Sequence, residues 1–73
     1  MPLDISEVIF LRLPQVQAQV GLSRSQIYKL MAEERFPASK KIGTRIAVWL
    51  SSDVEAWKQA RVDEWQQHHS KVA

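Results

Sequence analysis

Apolar positions in this chain come in short runs separated by proline, glycine and serine, and their spacing changes from run to run. Val8 to Leu13, VIFLRL, is a β-rich stretch that predicts a short strand leading into a helix. Pro14 follows, and its missing N–H is harmless at the first position of a helix. Val16 and Val20 then fall four apart on one face, with Ala18 and glutamines between them, until Gly21 stops the pattern. A first helix of about two turns is expected there.

Leu22 to Ile27 carries a complete helix-start signature. Ser23 is the expected N-cap, Gln26 completes a capping box three residues on, and Leu22 with Ile27 forms the hydrophobic staple. At about 100° per residue, Ile27, Leu30 and Met31 share one apolar stripe. Ser25 and Lys29 take the opposite face, with Arg24 and Tyr28 to one side and Gln26 to the other. This second helix is expected to end at Glu33 or Glu34, because the residue before Pro37 is pushed out of the helical region.

From Lys40 to Trp49 the run KKIGTRIAVW is β-branched and ends in an aromatic, with an interruption at Gly43-Thr44 that predicts a hairpin. Beyond it, LSSDVEAW offers Ser51 or Ser52 as an N-cap, with Asp53 and Glu55 near the positive end of the helix dipole. Val54, Trp57 and Arg61 then recur at helical spacing, so a third helix should run into the 60s. The tail QQHHSKVA has no apolar stripe and is expected to fray. The expected fold class is therefore α+β, mainly α, with about three helices and one short hairpin.

Length and composition narrow this picture without redrawing it. At 73 residues, 45% hydrophobic and 25% charged, the chain reads as one compact domain over 1–73, ordered from about residue 8 to 66. There is no cysteine, hence no disulfide framework and no thiolate metal site, and no apolar run reaches the roughly 18 residues of a membrane span. The start MPLDISEVIF lacks the marks of a secretory signal, so a soluble cytoplasmic protein is expected. A Gly-rich phosphate loop and a recognisable carboxylate pair are also missing, which disfavours an enzyme and predicts no cofactor.

Charge changes the picture more. The formal net charge is only +2, but its distribution is uneven. Between Ser23 and Trp49 stand Arg24, Lys29, Arg35, Lys40, Lys41 and Arg45 against Glu33 and Glu34, a net of +4, while the segments before and after each carry −1. The basic centre points to an anionic partner or to a solvated face that only aids solubility. Two short helices joined at Gly21 and followed by a hairpin are, in order, the parts of a helix-turn-helix with a wing. In that arrangement the second helix enters the major groove and its N-terminal residues reach base edges.

The string LRLPQV…GLSRSQIYKLMAEERFP…KIGTRIAVWLSSDVEAW resembles the AlpA family of phage and prophage regulators, small winged-helix proteins related to excisionases and more distantly to MerR-type DNA-binding domains. The resemblance spans about Phe10 to Trp57 and rests on the Gly21–Tyr28 helix start, the Arg35-Phe36-Pro37 triplet and the Gly43…Arg45…Trp49 wing. It implies that Arg24, Ser25, Gln26, Tyr28 and Lys29 lie on or beside a major-groove face. It further implies that Lys41 and Arg45 belong to a wing meeting phosphates or an adjacent minor groove. Lys40 and Thr44 join the candidate site as wing neighbours. The chain departs from the family pattern at Glu34, where a glycine is frequent, at Thr44, and at Ala38-Ser39. A left-handed helix end at Glu34 would cost about 1 kcal/mol.

Several of these side chains have rival uses. Gln26 can serve the capping box or a base, and Tyr28 can offer its hydroxyl to a phosphate or its ring to the edge of the core. Trp49 and Trp57 are expected in the core; Trp65 either stacks on Arg61 or anchors a second subunit. His68 and His69 lack the spacing of a helical metal site and are read as a solvated pair, so no metal is predicted. The expected partner is double-stranded DNA, bound cooperatively or as a dimer on the bacterial nucleoid. A promoter regulator would meet RNA polymerase; the alternative, an excisionase-like factor that bends DNA, would meet a phage integrase. A protein-interaction module docking an acidic partner through the basic face is the rival from another class.

Overall fold

The computed structural model of the chain describes residues 7–69. Its elements follow in the order β1 (Phe10–Leu11), α1 (Leu13–Val20), α2 (Arg24–Ala32), β2 (Lys40–Ile42), β3 (Ile46–Leu50) and α3 (Ser51–His69). Three helices and a small three-stranded antiparallel sheet make an α+β fold, mainly helical, with the parts of a winged helix-turn-helix in sequence. Among the described residues no helix is long and apolar enough to cross a membrane.

β1 is shorter than the expected run from Val8 to Leu13. Arg12 already has the extended conformation of an N-cap, and Leu13 takes the first helical position, so Pro14 stands second rather than first. Its missing N–H is one of the unbonded first-turn donors in either place. Gln15 Oε1 accepts the Arg12 N–H at 2.8 Å, and α1 stops at Gly21, whose φ of 70° lets its N–H donate to the Gln17 carbonyl. That is the left-handed helix ending glycine provides without steric cost.

The sheet has the order β1-β3-β2, so the hairpin gains a third strand that local pattern did not reveal. Phe10 pairs with Leu50 and Leu11 with Trp49; Lys40, Lys41 and Ile42 pair with Val48, Ala47 and Ile46. One step past β1, Ser51 N–H donates to the Ile9 carbonyl and Ser51 Oγ accepts the Ile9 N–H, both at 2.8 Å. This overturns the expected capping role of Ser51 or Ser52, since Ser51 is already helical and its hydroxyl extends the β1–β3 ladder. α3 runs on through Gln66 to His69, past the end expected near residue 66. Residues 70–73 and the side chains of the His68–His69 pair lie outside the described residues.

Leu11, Val16, Ile27, Phe36, Trp49 and Val54 form the buried core, one or more from each helix, β1, β3 and the loop after α2. Leu13, Val20, Leu22, Leu30, Met31 and Trp57 close it at the edges, so the predicted apolar stripe of α2 and its staple residue all face inward. The two indoles then tie down the triplet Arg35-Phe36-Pro37. Trp57 Nε1–H donates to the Arg35 carbonyl at 2.8 Å and Trp49 Nε1–H to the Pro37 carbonyl at 3.0 Å. Between these carbonyls Phe36 is buried and meets the Trp57 ring edge-on, centroids 4.9 Å apart. The triplet is thus a clip that carries the chain from α2 to the hairpin, with its backbone acceptors satisfied by indole N–H donors.

Candidate nucleic-acid interface

The orientation of α2 is set at both ends. At its start Ser23 Oγ accepts the Gln26 N–H at 3.2 Å and Gln26 Oε1 accepts the Ser23 N–H at 2.9 Å, the reciprocal capping box expected from the sequence. At its end Arg35 N–H donates to the Leu30 carbonyl and Glu34 N–H to the Met31 carbonyl, the two bonds of a Schellman ending. Glu34 occupies the left-handed position with φ 59°, so the chain keeps the geometry that glycine favours and bears the steric cost of a Cβ there. Leu30, Met31 and the fully buried Ile27 hold the rear of the helix, which leaves a single direction for the front.

That front is polar and open. Arg24, Ser25, Gln26 and Lys29 are exposed, and neither Arg24 nor Lys29 forms an ion pair within 4 Å among the described residues. Gln26 does take the structural role allowed to it: its oxygen is held by the cap, which leaves the amide N–H₂ as its outward donor. Tyr28 is 39% exposed, and its ring meets Trp49 edge-on at 6.4 Å while Arg24 places its guanidinium 5.5 Å from the ring centre. The ring thus stands edge-on to one core tryptophan while remaining exposed.

The hairpin sorts its basic residues by face. Side chains alternate along a strand, so Lys41, paired with Ala47, shares the face of Trp49, the face turned toward Tyr28 of α2. Lys40, paired with Val48, points to the opposite face. The register thus puts Lys41 and Lys40 on opposite faces of the sheet, Lys41 on that of Trp49. Thr44 and Arg45 stand exposed in the turn from Gly43 to Arg45, where Gly43 alone has positive φ, at 68°. Lys40, Lys41 and Arg45 have no ion-pair partner among the described residues; Arg35 stands 3.9 Å from Glu33 and is partly offset.

Near the far end of α3, Arg61 has a different stacking partner from the one expected. Arg61 sets its guanidinium 5.5 Å from the Trp57 ring and bonds Glu64 at 3.0 Å, so the stack anticipated with Trp65 is made with Trp57. Trp65 is 60% exposed. What sequence reading missed is the row that runs from Trp49 through Tyr28 to Arg24. The i, i+4 spacing of Arg24 and Tyr28 was its visible half; the Trp49 contact spans 21 positions and had no local signal.

A small domain with a capped, one-sided second helix beside a basic hairpin is the winged helix-turn-helix class. The family model described as Prophage CP4-57 regulatory protein (AlpA) matches residues 9–62, and the chain belongs to this family of phage regulatory proteins. It is also 44% identical over 63 residues to the uncharacterized protein ORF88 of Enterobacteria phage P4, a match covering 85% of this chain and 72% of that protein. No solved structure matches.

Proposed function

We propose that this protein is a sequence-specific, double-stranded DNA-binding transcriptional regulator of phage or mobile-element type, with α2 in the major groove and the hairpin on the backbone. The observation that carries the reading is the one-sidedness of α2: a buried rear and two caps hold an exposed front of Arg24, Ser25 and Lys29. An α-helix fits the major groove, and the N-terminal end of a recognition helix is the part that reaches bases. Lys41 on the Trp49 face of the hairpin and Arg45 in its turn, neither ion-paired among the described residues, supply the phosphate contacts. Membership of a phage regulatory family supports a regulator, at work on the nucleoid in the cytoplasm, over an enzyme or a protein-docking module.

Selection of bound sequences from a random duplex pool tests the reading directly. The expected outcome is one enriched motif, with affinity falling steeply as salt rises. About five neutralised phosphates per protomer would give a slope of log K against log salt of about −4 to −5. A pool that stays random, or an affinity indifferent to salt, would defeat the proposal.

A further inference from the structure

We propose that Tyr28 is the positioning residue of the reading face: braced on Trp49, its ring holds the Arg24 guanidinium ready for paired hydrogen bonds to a guanine of the operator. This rests on the DNA-reading function above and specifies what α2 reads. Arg24 occupies the first position of α2 and Tyr28 lies four residues on, so the two side chains are neighbours on one side of the helix. The guanidinium carbon is 5.5 Å from the Tyr28 ring centre. Behind it the Tyr28 ring stands at 69° to the Trp49 ring, 6.4 Å away. Trp49 is fully buried and its N–H is bonded to the Pro37 carbonyl, so the row starts from a side chain that cannot move without opening the core.

The chemistry of the outer member follows. The N–H groups of a guanidinium lie in its plane, so attraction of the cation to the Tyr28 ring does not consume its hydrogen-bond donors. Guanine is the base whose major-groove edge presents two acceptors, N7 and O6, that match such a fork. Lys29 can also donate to such acceptors, but as a point charge on a flexible stem it lacks the fixed planar fork and serves a phosphate equally well. Arg24 is exposed and forms no ion pair among the described residues, so no carboxylate among them competes for the fork. Holding a long side chain in its bound rotamer before encounter lowers the ordering cost of binding.

The test measures affinities of the wild type and of Arg24→Ala, Arg24→Lys, Tyr28→Phe and Tyr28→Leu. The probes are the selected operator and copies in which each guanine pair is replaced in turn by an adenine pair. In the wild type one replacement should weaken binding roughly 5- to 150-fold. Arg24→Ala should abolish that discrimination at the same base pair and no other, and Arg24→Lys, which lacks the planar fork, should weaken it there. Tyr28→Phe should retain it. Tyr28→Leu should reduce it by about two- to fivefold, the worth of an exposed cation–π contact, with the salt slope unchanged. Should Tyr28→Leu fail to fold, Arg24→Lys on the exposed surface still decides whether the planar fork is the reader.

Two results would overturn the proposal: Arg24→Lys discriminating as well as wild type, or Tyr28→Phe losing affinity on every operator with a salt slope shallower by about one, the mark of a hydroxyl on phosphate. Selective binding that neither Arg24 variant relaxes defeats this inference alone. The absence of any selective binding defeats the DNA-reading function with it.

Discussion

The two faces of α2 share nine residues and a single backbone, yet they are held to opposite physical demands. The rear packs Ile27 at zero exposure among Val16, Trp49 and Val54, so each methylene there is in contact with neighbours. The front presents Arg24, Ser25 and Lys29 to solvent without ion-pair partners among the described residues. A change at the rear should therefore be felt as lost stability, and a change at the front as lost binding. Tyr28 stands between the two regimes, half packed on Trp49 and half offered to Arg24.

The largest break in that comparison comes from beneath the rear face. Trp49→Ala should cost about 3–5 kcal/mol, a large share of the roughly 4–11 kcal/mol expected for a domain of this size. Urea unfolding should then show a markedly lower midpoint at an unchanged slope. An unchanged urea midpoint for Trp49→Ala would mean that the core is organised around some other residue.

At the front, Arg24→Ala should weaken binding to the selected operator by about 1–3 kcal/mol while unfolding stability stays within about 0.5 kcal/mol of wild type. Parallel binding and melting curves check it. Comparable losses in both would show that Arg24 belongs to the fold.

Ser23→Ala tests what holds the two faces apart. Loss of the cap should lower stability by about 1 kcal/mol, read as a fall in melting temperature of about 4–8 °C. An unchanged melting temperature would mean that staple and core alone fix the helix start. The smallest effect has the opposite sign: Glu34→Gly relieves the left-handed strain at the end of α2 and should add about 0.5–1 kcal/mol. A loss of stability there would show the Glu34 side chain to be in use.

Much of the candidate site was legible along the chain because the forces that shape it are local. The capping box joins Ser23 to Gln26, the Arg24 contact reaches four residues to Tyr28, and the hairpin turns over Gly43 to Arg45. Each involves neighbours that meet in any folded or partly folded chain, so residue type and spacing report them. The excess of bases between Ser23 and Trp49 is a property of the sequence itself.

Tertiary structure alone decided the contacts between distant segments. Ile9 and Ser51 are 42 positions apart, and their pairing converted an expected cap into a ladder partner and made β3 the central strand. Trp57 reached back to Arg35 and took Arg61 as its stacking partner, while Lys41 and Lys40 were assigned to opposite faces by the register of β2 on β3. Propensity and periodicity carry no information about such pairs, because they form only where the whole chain's packing places one segment beside another. The amino acids around Arg24 determined a helix start and its charge; the fold put a tryptophan edge-on to Tyr28, the ring beside that charge.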